Sequence, residues 1–139
     1  MKRKRSIRRK VRRTSKLPIA KLQRKLWVYC KLLIRKLYGN TCYTCDKKGL
    51  EGSSWQTGHF IPKSTCGALL KYDLRNLRPQ CFHCNLNLGG NVALFMQKLI
   101  IREGQEYVDQ IFKDRLLIIK PYDHYLSLVE KYKIMLEEI

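Results

Sequence analysis

Two Cys-x-x-Cys pairs, Cys42-Tyr-Thr-Cys45 and Cys81-Phe-His-Cys84, stand 35 residues apart in a chain of 139 residues. The spacing within a pair lets it grip one ion from a tight knuckle, and two knuckles complete the tetrahedral thiolate shell that a structural zinc prefers. Four thiolates leave no open coordination position, so such a zinc does no chemistry itself. Its value is mechanical: it fixes the segments that run between and beyond the knuckles. Displayed on those segments are His59, in the run Trp-Gln-Thr-Gly-His-Phe-Ile-Pro-Lys, Asn76, and Asn85 directly after Cys84. A neutral imidazole takes a proton from water at cellular pH when it is oriented and within reach. An amide carbonyl is a hard oxygen ligand suited to magnesium or manganese. The residues alone leave plainer readings open: four ordinary thiols or a redox pair, a histidine bonded within the zinc fold, a turn-forming Asn76 and a helix-capping Asn85.

Positioning those groups falls to the flanking elements. The pattern Ile19, Leu22, Leu26, Cys30, Leu33, Leu37 recurs at threes and fours, with Lys21, Arg24, Lys25, Lys31 and Arg35 on other faces. This predicts an amphipathic basic helix over 18–39, stopped near Gly39 and Asn40. Residues 41–80 lose helical periodicity and are punctuated by glycine and proline, which predicts short strands and loops with a hairpin between the knuckles. Helix is expected again over 91–101, ending at Gly104, then over 105–118, and after Pro121 with Tyr125, Leu128, Val129, Tyr132, Leu136 and Ile139 inward. Cys30 falls on the apolar helix face and is expected in the core. Cys66 is expected as a loop thiol, with replacement of one of the four zinc cysteines as the alternative.

The charge is one-sided. Residues 1–45 carry 16 Lys and Arg and no acid, while 46–139 carry 13 basic and 11 acidic residues. Such a block points to a polyanion, because each neutralised phosphate releases condensed counterions. The basic arm 1–17 is expected to contact nucleic acid through Lys2, Arg3, Lys4, Arg5, Arg8, Arg9, Lys10, Arg12 and Arg13, with Lys63 contributing from the core. A solvated tail or a membrane-surface segment is the bland alternative. No apolar run approaches the ~18 residues of a membrane span, and the arm lacks a signal-peptide core. An intracellular protein with reduced thiols and no membrane partner is therefore expected.

The run Gly58-His-Phe-Ile-Pro-Lys-Ser, the stretch Leu74-Arg-Asn-Leu-Arg-Pro-Gln-Cys and Cys-x-x-Cys-Asn with Gly89-Gly-Asn soon after resemble the HNH nuclease pattern in its zinc-braced His-Asn-Asn form. More narrowly, Thr57 to Ser64 together with Asp73 to Asn85 resembles the NinG family of phage lambda, also called Rap, of recombination endonucleases. The resemblance covers roughly residues 40–105 and is specific in combination. It implies an α+β chain: a small zinc-stabilised ββα-metal core, treble-clef-like, over 40–104, flanked by the N-terminal basic helix and a C-terminal helical extension over 105–139. It implies His59 as general base, Asn76 as the brace of the hairpin loop, and Asn85 as a ligand of one catalytic magnesium or manganese ion beside the structural zinc.

One departure matters. The residue before the histidine often supplies a second metal ligand in the HNH pattern, and here it is Gly58. Asp73, the only carboxylate between the histidine and the second knuckle, is the candidate replacement; His83 and Asn91 are weaker ones. The function implied is hydrolysis of DNA phosphodiesters in branched recombination intermediates such as Holliday junctions and D-loops, in the cytoplasm of a phage-infected or prophage-carrying bacterial host. A homodimer is expected from the two symmetric cuts a junction needs. The rival classes are a non-catalytic zinc module that binds DNA or RNA, and a protein-interaction surface on the C-terminal helices.

Overall fold

The computed structural model describes residues 16–139. The first helix, α1 (Ile19–Tyr38), begins directly after Pro18 and ends at Gly39. Gly39 has φ +72, a left-handed conformation that costs glycine nothing, and its N–H closes the last turn on the Arg35 carbonyl. The arginines and lysines assigned to nucleic acid between Lys2 and Arg13 lie outside the described residues; Lys63 lies within them.

Two short strands follow, β1 (Trp55–His59) and β2 (Leu77–Cys81), paired antiparallel with Trp55 opposite Cys81 and His59 opposite Leu77. Between them a loop carries a single helical turn, α2 (Gly67–Lys71), inside a region whose sequence predicts strands and loops alone. Leu70 anchors that turn in the core. After β2 the chain makes a wide helical turn over His83–Asn87, then α3 (Val92–Glu103), α4 (Gln105–Asp114) and α5 (Pro121–Glu138). The helix expected over 105–118 stops four residues early, and Leu116, Leu117 and Ile118 are exposed. Pro121 occupies the first turn of α5, where its missing N–H is no loss. The class is α+β, as the sequence predicts: helices around one two-stranded sheet.

Two apolar clusters flank the sheet. In the first, Leu22, Leu26, Cys30, Leu33 and Ile34 of α1 meet Tyr125, Leu128, Val129 and Tyr132 of α5 over Leu77 of β2. In the second, Phe60, Ile61, Cys66 and Leu70 of the interstrand loop meet Phe95 and Leu99 of α3 and Val108 and Ile111 of α4. The inner face of α5 is thus spent within the chain, so 105–139 is part of the structural body that holds the sheet. All of β2 is buried, Arg78 included. That guanidinium donates to the Leu74 and Leu77 carbonyls at 3.0 and 2.7 Å and to the Tyr107 hydroxyl at 2.9 Å, with the Tyr38 ring 4.4 Å from it. A buried cation is tolerated because each of these partners replaces water.

Candidate functional site

The four knuckle cysteines converge. Cys42 and Cys45 sit on a turn after α1, Cys81 ends β2 and Cys84 lies in the helical turn, and their sulfurs lie within 4.8 Å of one another. A tetrahedral ion with zinc–sulfur bonds of ~2.3 Å needs sulfurs ~3.8 Å apart; Cys45 and Cys81 are 3.7 Å apart. The Cys84 N–H points at the Cys81 sulfur at 3.4 Å and the Asn91 amide at the Cys84 sulfur at 3.6 Å. Donors of this kind stabilise thiolates, so the donor set fits zinc. Cys30 and Cys66 are both buried, and neither sulfur falls within that group of four, so neither replaces a member of it. Burial pushes the Cys30 thiol up to about 12, which keeps it protonated and inert.

His59 closes β1 on the same framework. Its Nε2 lies 2.9 Å from the Lys71 carbonyl. A carbonyl only accepts, so Nε2 carries the proton and Nδ1 keeps the lone pair. The ring is pinned from the other side by Trp27 of α1, stacked at 5.5 Å between centroids and 11° between planes. Burial holds the His59 pKa below its ordinary value, reinforced by the Lys63 and Lys71 charges and opposed by the Lys71 carbonyl. The imidazole is therefore neutral at pH 7, as a proton acceptor must be.

An open groove of about 400 Å³ runs past this ring. His59, Asn85, Thr57, Trp27 and Lys63 line it together with Gly89 and Gly90. Asn85 lies within the helical turn, ahead of α3 and not at its start, and its Nδ2 donates to the Gln56 Oε1 at 2.9 Å. That bond orients the amide and leaves Oδ1 without a hydrogen-bond partner among the described residues. Asn76 is fully buried and ties the interstrand loop: Oδ1 accepts from the Ile61 N–H at 2.8 Å, and Nδ2 donates to the Ile61 and Leu70 carbonyls at 3.1 and 3.4 Å. The loop so tied includes Lys71, the partner of His59.

Asp73 is placed elsewhere, outside the lining of the His59 groove. It precedes the tight turn Leu74–Asn76 and folds its carboxylate back on the Arg75 N–H at 2.9 Å. Both of its oxygens are taken by the Arg75 guanidinium at 2.7–3.1 Å. It faces a concavity shared with Leu128 and Tyr132 of α5, apart from the His59 groove. Of the weaker candidates, exposed His83 pairs with Asn87 and the Asn91 Nδ2 donates to the Cys84 sulfur; neither lines the groove. Gly58 has a structural cause. A Cβ there would collide with the Gln80 side chain, which fills the space and donates to the Gly90 carbonyl at 2.8 Å.

Thr57 and Trp27 line the groove without standing out in the sequence as site residues. Thr57 was legible, because strand alternation places residues 57 and 59 on one face. Trp27 was not, because nothing local ties position 27 to position 59. The oxygen donors near the imidazole are thus an amide carbonyl and a hydroxyl, both neutral, with no acidic residue among the described lining. They fit a magnesium or manganese ion that keeps several waters and shares a phosphate, and they fall short of a dedicated cation cage.

The family model for the bacteriophage lambda NinG protein matches residues 1–139. The chain belongs to the NinG family. Among its relatives, the ninG protein of Escherichia phage 933W is 38% identical over 71 residues, which is 50% of this chain and 33% of that protein. That of Escherichia phage lambda is 37% identical over 71 residues, with the same shares, and that of Salmonella phage P22 is 35% identical over 74 residues, 52% of this chain and 34% of its own length. Each matched stretch therefore spans about a third of the NinG relative. No solved structure matches the chain. No helix among the described residues is long and apolar enough to cross a membrane.

Proposed function

We propose that this NinG-family chain is a metal-dependent DNA endonuclease of the zinc-braced HNH type, with His59 as its general base. The observation that carries the reading is the Nε2 bond to the Lys71 carbonyl, which leaves a neutral Nδ1 on an imidazole that lines a groove with Asn85. In the step proposed, Nδ1 takes a proton from a water molecule as the water oxygen bonds to phosphorus. The bond from phosphorus to the 3′ oxygen breaks, and that oxygen takes a proton from solvent, leaving a 5′ phosphate and a 3′ hydroxyl. A divalent ion bound at Asn85 would supply stabilisation of the negative charge on the phosphorane and the leaving oxygen.

Trp27 and the Lys71 carbonyl hold the base in one tautomer and one plane, which is the positional requirement for proton transfer. Lys63 at the groove edge and Arg24 and Lys71 in the adjoining concavity offer positive charge to a phosphate backbone. Branched recombination intermediates are the proposed substrates, cut by a homodimer in the cytoplasm of a phage-bearing host. The test is magnesium-dependent nicking of a labelled four-way junction by wild type and His59→Ala. Binding is expected to persist in the variant, with cutting reduced by about 10²–10⁴. Wild-type binding without cutting under any divalent ion would instead establish a non-catalytic DNA-binding module, the reading favoured by the absence of a carboxylate from the described groove lining.

A further inference from the structure

Resting on the nuclease reading, we propose that the Thr57 hydroxyl is the second protein oxygen donor to the catalytic cation, joining the Asn85 carbonyl in place of the side chain that Gly58 lacks. Thr57 stands two residues before His59 on β1, on the same face of the strand, and lines the same groove. It is only 7% exposed, and its Oγ1 is shielded with no hydrogen-bond partner among the described residues. An orphaned buried hydroxyl weakens a fold, and valine at this position would keep the shape, suit the strand and remove the penalty. A ligand in the groove supplies the missing partner once the staggered step exchanges Oγ1 with Cγ2.

A cation held with the Asn85 carbonyl is the ligand proposed for that hydroxyl. Lys63 already offers charge to phosphate, whereas oxygen donors are scarce: Asp73 is saturated by Arg75, and Gly58 is closed off by Gln80. A threonine hydroxyl is a hard neutral oxygen of the kind magnesium and manganese accept beside water and phosphate.

The test uses zinc-loaded His59→Ala protein bound to an uncut DNA junction, with manganese titrated and the free ion followed by electron paramagnetic resonance. Thr57→Val in that background is expected to weaken manganese binding roughly tenfold or more, Thr57→Ser to retain it, and the thermal midpoint of Thr57→Val to stay level or rise. Unchanged manganese affinity in Thr57→Val overturns the proposal and leaves the nuclease reading standing. Unchanged manganese affinity with weaker DNA binding also overturns it, making the hydroxyl a phosphate contact. A parent complex that binds no manganese removes the nuclease reading and this proposal together.

Discussion

Replacing Asn76 by alanine isolates how much of the molecule depends on one amide. The side chain serves both backbone groups of Ile61, which is 3% exposed, and adds a longer bond to the Leu70 carbonyl. Alanine removes the side-chain partners of the buried Ile61 N–H and C=O. Each orphaned buried group costs about 1–3 kcal/mol, so the expected loss is roughly 3–5 kcal/mol, with the 3.4 Å Leu70 bond contributing least. Against a total stability of about 5–15 kcal/mol, that is roughly a fifth of the fold's stability or more. Urea denaturation followed by circular dichroism measures it, as a fall in midpoint at unchanged slope. Zinc content should be preserved, because all four cysteines lie outside the loop 60–76 that Asn76 ties. DNA cutting should fall beyond what the lost stability explains, because the Lys71 carbonyl that fixes the His59 tautomer rides on that loop. A loss below about 1 kcal/mol would show that the loop holds without its tie, and the bracing argument would be wrong.

Two further outcomes follow from the same geometry. Because burial lowers the His59 pKa, the acid limb of kcat/KM should have its midpoint below 6.5, the ordinary histidine value. The same shift makes stability fall as pH drops from 6.5 toward the folded-state pKa, where the unfolded chain binds the proton first; a difference in this slope between wild type and His59→Ala checks it, and an acid limb near pH 8 would contradict it. For the knuckles, metal analysis should find about one zinc per chain, and strong chelation should abolish near-ultraviolet dichroism together with junction cutting. Native protein with no zinc and an intact spectrum would refute the thiolate site.

Sequence alone determined the features that depend on short spacings. The two-residue gap inside each cysteine pair suits a chelating knuckle, and the three-and-four recurrence from Leu22 to Leu33 marks the buried face of α1. The choice of His59, Asn76 and Asn85 came from a motif, and the structure brings His59 and Asn85 to one groove while sending Asn76 into the loop backbone. What spacing could not reach was the long-range geometry. Asp73 reads as a plausible ligand until Arg75, two residues on, is seen to take both its oxygens, a local bond that outcompetes a distant site. Trp27 reads as one more residue of a basic helix until packing lays it on the imidazole 32 positions away. Gly58 reads as a lost ligand until Gln80 of the partner strand fills the space its side chain would need. Periodicity and chelate spacing are local and survive in one dimension; tautomer and steric exclusion are set by neighbours that only the folded chain brings together.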